Sequence, residues 1–345
     1  MKVVVAYPDG SLRVEERDIP HCGPRDVLVR LVSAACNRAD MHTRDGRFAP
    51  LPRVLGIDGA GTIEAVGDGV EDVRVGDHVV INPAISCTEC AFCLAGEEGL
   101  CKTRRTLGQT TDGTFAEYVV VPAVNVHRLE KSISLETAAA FPSVYNAAWH
   151  VLVTRAAVRP GETVLISAGG SGVGTAAIQL AAELGVRVVT TAGSEAKLAQ
   201  LHESGVTLAV NHSESGWAEK IIDQVGEIDA VIDVVGSAYW DDYCRCLRPG
   251  GRIVAMSLMT GDTGTVNIYD MVRRGLSFLG SGPQGSKREA LEVVNLANKG
   301  ALVPVIDSTF VFPDIESAHE RLASRDVFGK VLISFRPNGI AAHAD

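Results

Sequence analysis

The stretch TVLISAGGSGVGTAAIQLAAEL, residues 163–184, decides the fold. An apolar run of strand length (163–167) passes into a glycine-rich turn and then into a helical segment, the setting that gives such a turn chemical meaning. The helix start offers free backbone N–H groups and the positive end of the helix dipole, and the glycines let the backbone approach an anion such as a pyrophosphate closely. The candidate contacts are Gly169, Gly170, Ser171, Gly172, Val173 and Gly174. Ser171 stands where the motif expects its middle glycine, and an ordinary strand-to-helix turn is the competing reading.

Outward from the turn, strand and helix patterns alternate: strands at 186–191, 229–235 and 252–256, helices at 175–184 and 195–202. Such alternation predicts a parallel, doubly wound sheet, here over residues 125–283. Residues 1–124 instead read as short strands (26–32, 59–66, 77–81) broken by Gly, Pro and Asp, which is β-rich, barrel-like material. Past residue 283 come a helix (286–298), a strand-like run (307–311), a helix (315–323) and a strand (330–335), which look unlike another βαβ unit and whose number suits a return to the first domain. The division expected is therefore 1–124 with 284–345, and 125–283, with a frayed tail at 336–345.

The second strand of the parallel unit ends at Ala192, where a cofactor with a free ribose 2′-hydroxyl usually meets a carboxylate. Gly193, Ser194 and Lys197 offer small donors and a cation instead, as a 2′-phosphate requires, so the expected cofactor is NADPH rather than NADH. Glu195 lies close enough to disturb this reading, or is simply a first-turn acid of the next helix; Lys197 has a solvated surface lysine as its alternative.

Cys87, Cys90, Cys93 and Cys101 have the spacing of four thiolates around one structural zinc. A closed four-cysteine site leaves no position for substrate. Cys22, Cys36, Cys244 and Cys246 suggest no pairing scheme, which fits a reducing compartment.

The 345 residues are 46% hydrophobic, enough for a large core in two domains. Lysine and arginine total 32 against 42 acidic residues, a formal charge of −10, with no long basic run. This argues against nucleic acid or an anionic membrane as a partner. The start MKVVVAYPDGS is too short an apolar run for a secretory signal, and no span-length apolar stretch occurs, so a cytoplasmic location is expected.

Several further marks occur in order: Gly56-Ile-Asp-Gly-Ala-Gly61, Val75-Gly-Asp-His-Val79, Gly113-Thr-Phe-Ala-Glu-Tyr118, the AGGSGVG turn, Leu247-Arg-Pro-Gly-Gly251 and Gly329-Lys-Val-Leu332. With the four-cysteine lobe, they make the chain resemble the medium-chain dehydrogenase/reductase superfamily along nearly its whole length. The resemblance implies an α/β fold: a β-rich GroES-like barrel domain carrying the zinc lobe at 87–101, plus a doubly wound Rossmann domain with a parallel sheet. It also implies a homodimer or homotetramer.

Alcohol dehydrogenases of that superfamily hold a catalytic zinc at three positions occupied here by Asn37, Ile57 and Ser143. An amide, a hydrocarbon and a hydroxyl are poor zinc donors, so no catalytic zinc is expected. Cys36, one residue from the first position, restores a thiolate only in a shifted register. The segment Asn37-Arg-Ala-Asp40-Met-His42-Thr-Arg44-Asp-Gly46 is similar to a stretch of the zinc-free quinone and enoyl reductases. Those enzymes pass hydride from NADPH to a double bond conjugated with a carbonyl, leaving an enolate that needs a hydrogen bond and a proton.

By the same resemblance, Asn37 donates its amide to the substrate oxygen, with a scaffold role as its alternative. His42 exchanges protons, or is a satisfied polar side chain. Tyr145 is a substitute proton donor, since Phe48 stands where related reductases carry tyrosine; lining the cleft is its alternative. Arg38 contacts the cofactor pyrophosphate, or is solvated, and Lys330 joins the cofactor-binding set. The resulting expectation is an NADPH-dependent quinone, enone or enoyl-thioester reductase acting on a small molecule. Its rivals are a zinc-dependent alcohol or polyol dehydrogenase with atypical ligands, and a non-enzymatic nucleotide-binding protein of the same fold.

Overall fold

The computed structural model describes residues 1–282 and 285–336. The expectation for the tail therefore lies, beyond Arg336, outside the described residues, as does the switch-over at 283–284. Two compact units emerge, Met1–Asn146 with Gln284–Asp345, and Ala147–Pro283. The first extends past residue 124, because the chain between there and Asn146 packs with it.

The first unit is built on a seven-stranded sheet whose longest strand, Asp26–Ala35, pairs antiparallel with Asp58–Val66, Tyr118–Pro122 and Lys330–Ser334. Val27, Val29 and Leu31 of the longest strand, Ile63 of Asp58–Val66, Val119 and Val121 of Tyr118–Pro122, and Val79 and Ile81 of the strand His78–Ile81 form one core cluster. The segment after residue 285 joins this sheet through Ile306–Val311 and Lys330–Ser334, which pair in parallel with the helix Ile315–Ala323 between them; contrary to the expectation, this is a βαβ unit, built onto the sheet of the first unit. Lys287–Asn298 forms the helix expected at 286–298, started by a capping box in which Ser286 Oγ accepts from the Glu289 N–H and the Glu289 carboxylate accepts from the Ser286 N–H.

The second unit carries six parallel strands in the spatial order Leu208–Asn211, Arg187–Ala192, Thr163–Ile166, Ile228–Asp233, Leu247–Ala255, Ser277–Gly280. In chain order this is 3-2-1-4-5-6, the doubly wound arrangement, with its switch point beside Thr163–Ile166. Leu165, Val189, Val210, Val231 and Ile253 pack against Ile221 and Tyr243 in the same core cluster. Among the described residues no helix is long and apolar enough to cross a membrane.

Candidate functional site

In the first unit, two apolar strands each bury one charge. Asp58 opens the strand Asp58–Val66 and Lys330 opens Lys330–Ser334; their side chains are 0% and 5% exposed. Lys330 Nζ donates to Asp58 Oδ2 at 3.1 Å, to Asn37 Oδ1 at 2.7 Å and to the Cys36 carbonyl at 3.1 Å. Asp58 Oδ2 also accepts from Asn37 Nδ2 at 2.8 Å, while Oδ1 accepts from the Ser143 N–H at 2.9 Å and from the Ser143 hydroxyl. Burial of two charges is tolerated only with such complete pairing.

This arrangement changes the reading of two expected residues. Asn37 spends both amide hydrogens inside the unit, on Asp58 Oδ2 and on the Ala35 carbonyl (3.1 Å), so neither is left for a substrate oxygen. Lys330, expected to hold cofactor, spends all three ammonium hydrogens on protein oxygens. Asp58, the hub, is absent from the expected set. Its signal was a lone acid in the apolar run VLGIDGAGTI, which demands a buried partner.

Asn37 precedes the short helix Arg38–Arg44, and its N–H donates to Asp40 Oδ2 at 2.7 Å. Asp40 is fully buried, and burial, reinforced by the Asp58 carboxylate, raises its pKa to about 7. His42 lies on the same helix, half-buried and edge-on to Phe48 at 5.7 Å. The Arg38 guanidinium is partly buried, and burial, with the charge of Arg325, lowers its pKa. Tyr145 is 2% exposed with its ring against Phe141 at 5.1 Å, the setting of a core aromatic. Cys36 is buried in the cluster of Val4, Leu55, Phe115 and Val331, and burial holds its thiol protonated. The shifted-register thiolate is therefore not provided by this packing.

The four cysteines converge, with all sulfurs within 4.8 Å of one another. The separations Cys87–Cys93, Cys90–Cys93 and Cys101–Cys87 are 3.8, 3.5 and 3.6 Å. A zinc–sulfur bond of ~2.3 Å in a tetrahedron gives an edge of ~3.8 Å, so the donors fit zinc and are too far apart for disulfides. Backbone N–H groups of Glu89 and Cys90 point at Cys87 and lower its pKa, stabilising the thiolate a metal needs. Among the described residues this is the one group of three or more His, Cys, Asp or Glu close enough to hold an ion. At the three positions compared with the catalytic ligands the donors do not fit zinc: Ile57 has none, and Asn37 and Ser143 are committed to Asp58.

In the second unit the glycine-rich turn leads into the helix Gly172–Glu183. Ser171 is its N-cap, with Oγ accepting from the Gly174 N–H at 3.0 Å. The departure from the motif is thus a cap, and the N–H groups of Gly172 and Val173 belong to the first turn, where a helix has no carbonyl of its own for them and an anion can be accepted. A Cβ on Gly174 would lie 2.3 Å from the Ala168 carbonyl, and one on Gly169 would lie 2.1 Å from Thr190 Oγ1; only glycine permits this closeness of turn, helix and strand. The turn is tied to the end of the second strand by Gly169 N–H to Thr191 O at 2.9 Å. Just beyond, Ser194 Oγ is buried with no hydrogen-bond partner among the described residues. His212, whose pKa is lowered by burial and by Lys197, sits over Gly193, and Glu195 is engaged by Asn211 Nδ2 at 3.1 Å. A turn that only glycine can make, opening a helix with free N–H groups, fits a nicotinamide dinucleotide.

Comparison with known proteins agrees with this geometry. Residues 23–131 match the alcohol dehydrogenase GroES-like domain and residues 172–299 the zinc-binding dehydrogenase family. An acryloyl-coenzyme A reductase of Sulfurisphaera tokodaii is 29% identical over 96% of this chain and 98% of its own length. An alcohol dehydrogenase of a Moraxella species is 30% identical over 97% and 99%. Among solved structures, an NAD-dependent alcohol dehydrogenase superposes with a TM-score of 0.92 at 39% identity, covering 97% of this chain and 100% of that one. The chain therefore belongs to the medium-chain dehydrogenase/reductase superfamily, as an oxidoreductase with a GroES-like unit, a Rossmann unit and a four-cysteine cluster.

Proposed function

We propose that the chain is an NADPH-dependent reductase of double bonds conjugated with a carbonyl (quinones, enones or enoyl thioesters), with zinc at Cys87, Cys90, Cys93 and Cys101 alone. The observation that carries this reading is the fate of the three ligand positions: Ile57 has no donor atom, and Asn37 and Ser143 are hydrogen-bonded to Asp58. Alcohol oxidation benefits from a metal that stabilises alkoxide, whereas reduction of a conjugated bond requires only that the enolate be hydrogen-bonded and protonated. The acryloyl-coenzyme A reductase similarity lies in the same direction.

NADPH supplies the hydride when bound. The turn Gly169 to Gly174 holds the pyrophosphate on the N–H groups of Gly172 and Val173, and Arg38 offers a guanidinium to an anion. Ser194, whose hydroxyl has no partner among the described residues, and Lys197 read the 2′-phosphate, supported by the absence of a carboxylate at position 192 and by the engagement of Glu195 with Asn211. Asn37 is a positioning residue. His42 is the group that exchanges a proton with the enolate, and Tyr145 is part of the surrounding wall. The metal at the cysteines fixes its lobe and takes no part in the reaction.

The test is absorbance monitoring of NADPH and NADH oxidation with quinones, enones and acryloyl or crotonyl thioesters, paired with zinc analysis. Turnover with NADPH at about one zinc per chain is expected. A second zinc with chelator-sensitive alcohol oxidation would establish the rival dehydrogenase, and NADPH binding without consumption would establish the nucleotide-binding protein. We also propose a homodimer or homotetramer, supported by the edge strand Ser277–Gly280 and the exposed Ile268, Tyr269 and Val272 in the second unit. Light scattering tests it.

A further inference from the structure

On three neighbouring strands of the first unit, Arg30, Thr62 and His78 form one cross-strand row: Arg30 stands opposite Thr62, and Thr62 opposite His78. Opposed residues share a face of a sheet, and the alternate positions Leu31, Ile63 and Val79 belong to the core, so the polar row lies on the other face. A cavity of about 350 Å³ opens over that row. Its remaining walls are the segment 131–136, which runs into the helix Leu135–Ala138, and Phe335 and Arg336 beyond the strand Lys330–Ser334.

The lining sets three cations, Arg30, Lys131 and Arg336, against one carboxylate, Glu136, in a chain whose formal charge is −10. These cations keep donors to spare. Arg30 reaches Glu64 through Nε at 3.2 Å and Arg336 reaches Glu136 through Nη1, which leaves further N–H groups on both guanidiniums, and Lys131 has no ion pair among the described residues. His78 Nδ1 is buried without a hydrogen-bond partner among the described residues. Ile133, Leu135 and Phe335 add hydrocarbon to the same walls. Thr62 is four residues along its strand from Asp58, ~13 Å at ~3.3 Å per residue, so this is a second place in the unit and not an extension of the Asp58 region.

We propose that the cavity binds a small organic carboxylate with an aromatic or branched apolar body: the carboxylate sits among Arg30, Lys131 and Arg336, and the hydrocarbon against Ile133, Leu135 and Phe335. A volume at the small end of ligand pockets, roughly 300 to 1,000 Å³, sets the size class. The inference shares no residue with the proposed reductase site and stands or falls separately from it.

The experiment is calorimetric titration of the full zinc-loaded chain with benzoate, phenylacetate and isovalerate, with benzamide as the neutral control. At least one carboxylate is expected to bind saturably at one site per chain with a dissociation constant of about 1 mM or tighter, and benzamide at least about tenfold more weakly, the size of one charge-assisted hydrogen bond. Lys131→Glu, an exposed substitution that should leave the unfolding temperature within about 2 °C, weakens the carboxylate about tenfold or more, and Arg30→Gln acts in the same direction. No saturable binding by any of the three, equal binding of benzamide, or binding undiminished in both variants overturns the proposal. Inorganic phosphate binding as tightly as the best carboxylate, and lost in the same variants, overturns the assignment of an apolar body.

Discussion

Lys330 Nζ and Asp58 Oδ2 stand 3.1 Å apart on two strands 272 residues apart in sequence, in an environment that leaves them 5% and 0% exposed. Neither charge is tolerable there alone. Removing Asp58 as Asp58→Ala takes the acceptor from the ammonium and from three other donors, the Asn37 amide, the Ser143 N–H and the Ser143 hydroxyl, and should cost about 3–5 kcal/mol. Urea unfolding of the variant against the parent measures it; a loss below ~1 kcal/mol would mean the pair is solvated in solution.

The cysteine lobe should depend on its metal and on each sulfur. Cys93→Ser is expected to lower zinc from about one per chain to a small fraction of that, since oxygen replaces thiolate in a closed site. A chromogenic chelator assay on the unfolded protein reads the content. NADPH affinity, which belongs to the second unit, should change less than about threefold, equivalent to ~0.65 kcal/mol.

Cofactor choice should rest on Lys197 and Ser194. Lys197→Ala is expected to raise the NADPH dissociation constant about tenfold or more, the size of one charge-assisted hydrogen bond, while leaving NADH nearly unchanged. Fluorescence titration with both cofactors decides it. An equal loss for both would move Lys197 out of the 2′-phosphate site.

His319 should make the fold sensitive to acid. It is 3% exposed, faces Phe115 at 5.9 Å, and both ring nitrogens lack partners among the described residues. Burial, helped by Arg44 and opposed by Glu316, lowers its pKa to about 4. The unfolded chain, with an ordinary imidazole near ~6.5, binds the proton first, so stability is full above that pH and falls as pH drops toward 4. The loss from this residue approaches about 3 kcal/mol at the acid end. In His319→Phe the pH dependence of stability between pH ~6.5 and ~4 should flatten by that amount. Urea unfolding at the two ends of the range measures the difference.

Sequence by itself determined the architecture. The strand, glycine turn and helix at 163–184 dictate the parallel sheet because backbone periodicity and turn chemistry are local properties. The cysteine spacing dictated a four-sulfur cluster for the same reason: the ligands lie within fifteen residues, and Cys101 Sγ reaches Cys87 Sγ at 3.6 Å. Local reading did not foresee that Ile306–Val311, Ile315–Ala323 and Lys330–Ser334 form a βαβ unit that joins the sheet of the first unit, since which sheet a strand joins is not a local property.

Only the folded structure decided what Ser171 does locally and what Asn37 and Lys330 do across the sheet. Sequence offers each as a donor to a ligand, but whether a donor is free depends on which acceptor the fold brings beside it. Ser171 Oγ is taken by the neighbouring Gly174 N–H, a cap visible in hindsight from position alone. Asn37 and Lys330 are taken by Asp58, which lies opposite Ala35, two residues before Asn37, and reaches Lys330 because Lys330–Ser334 pairs with the same strand, Asp26–Ala35. A buried charge must find its partner wherever the sheet places one, and that pairing is a property of register in space, which no linear spacing records.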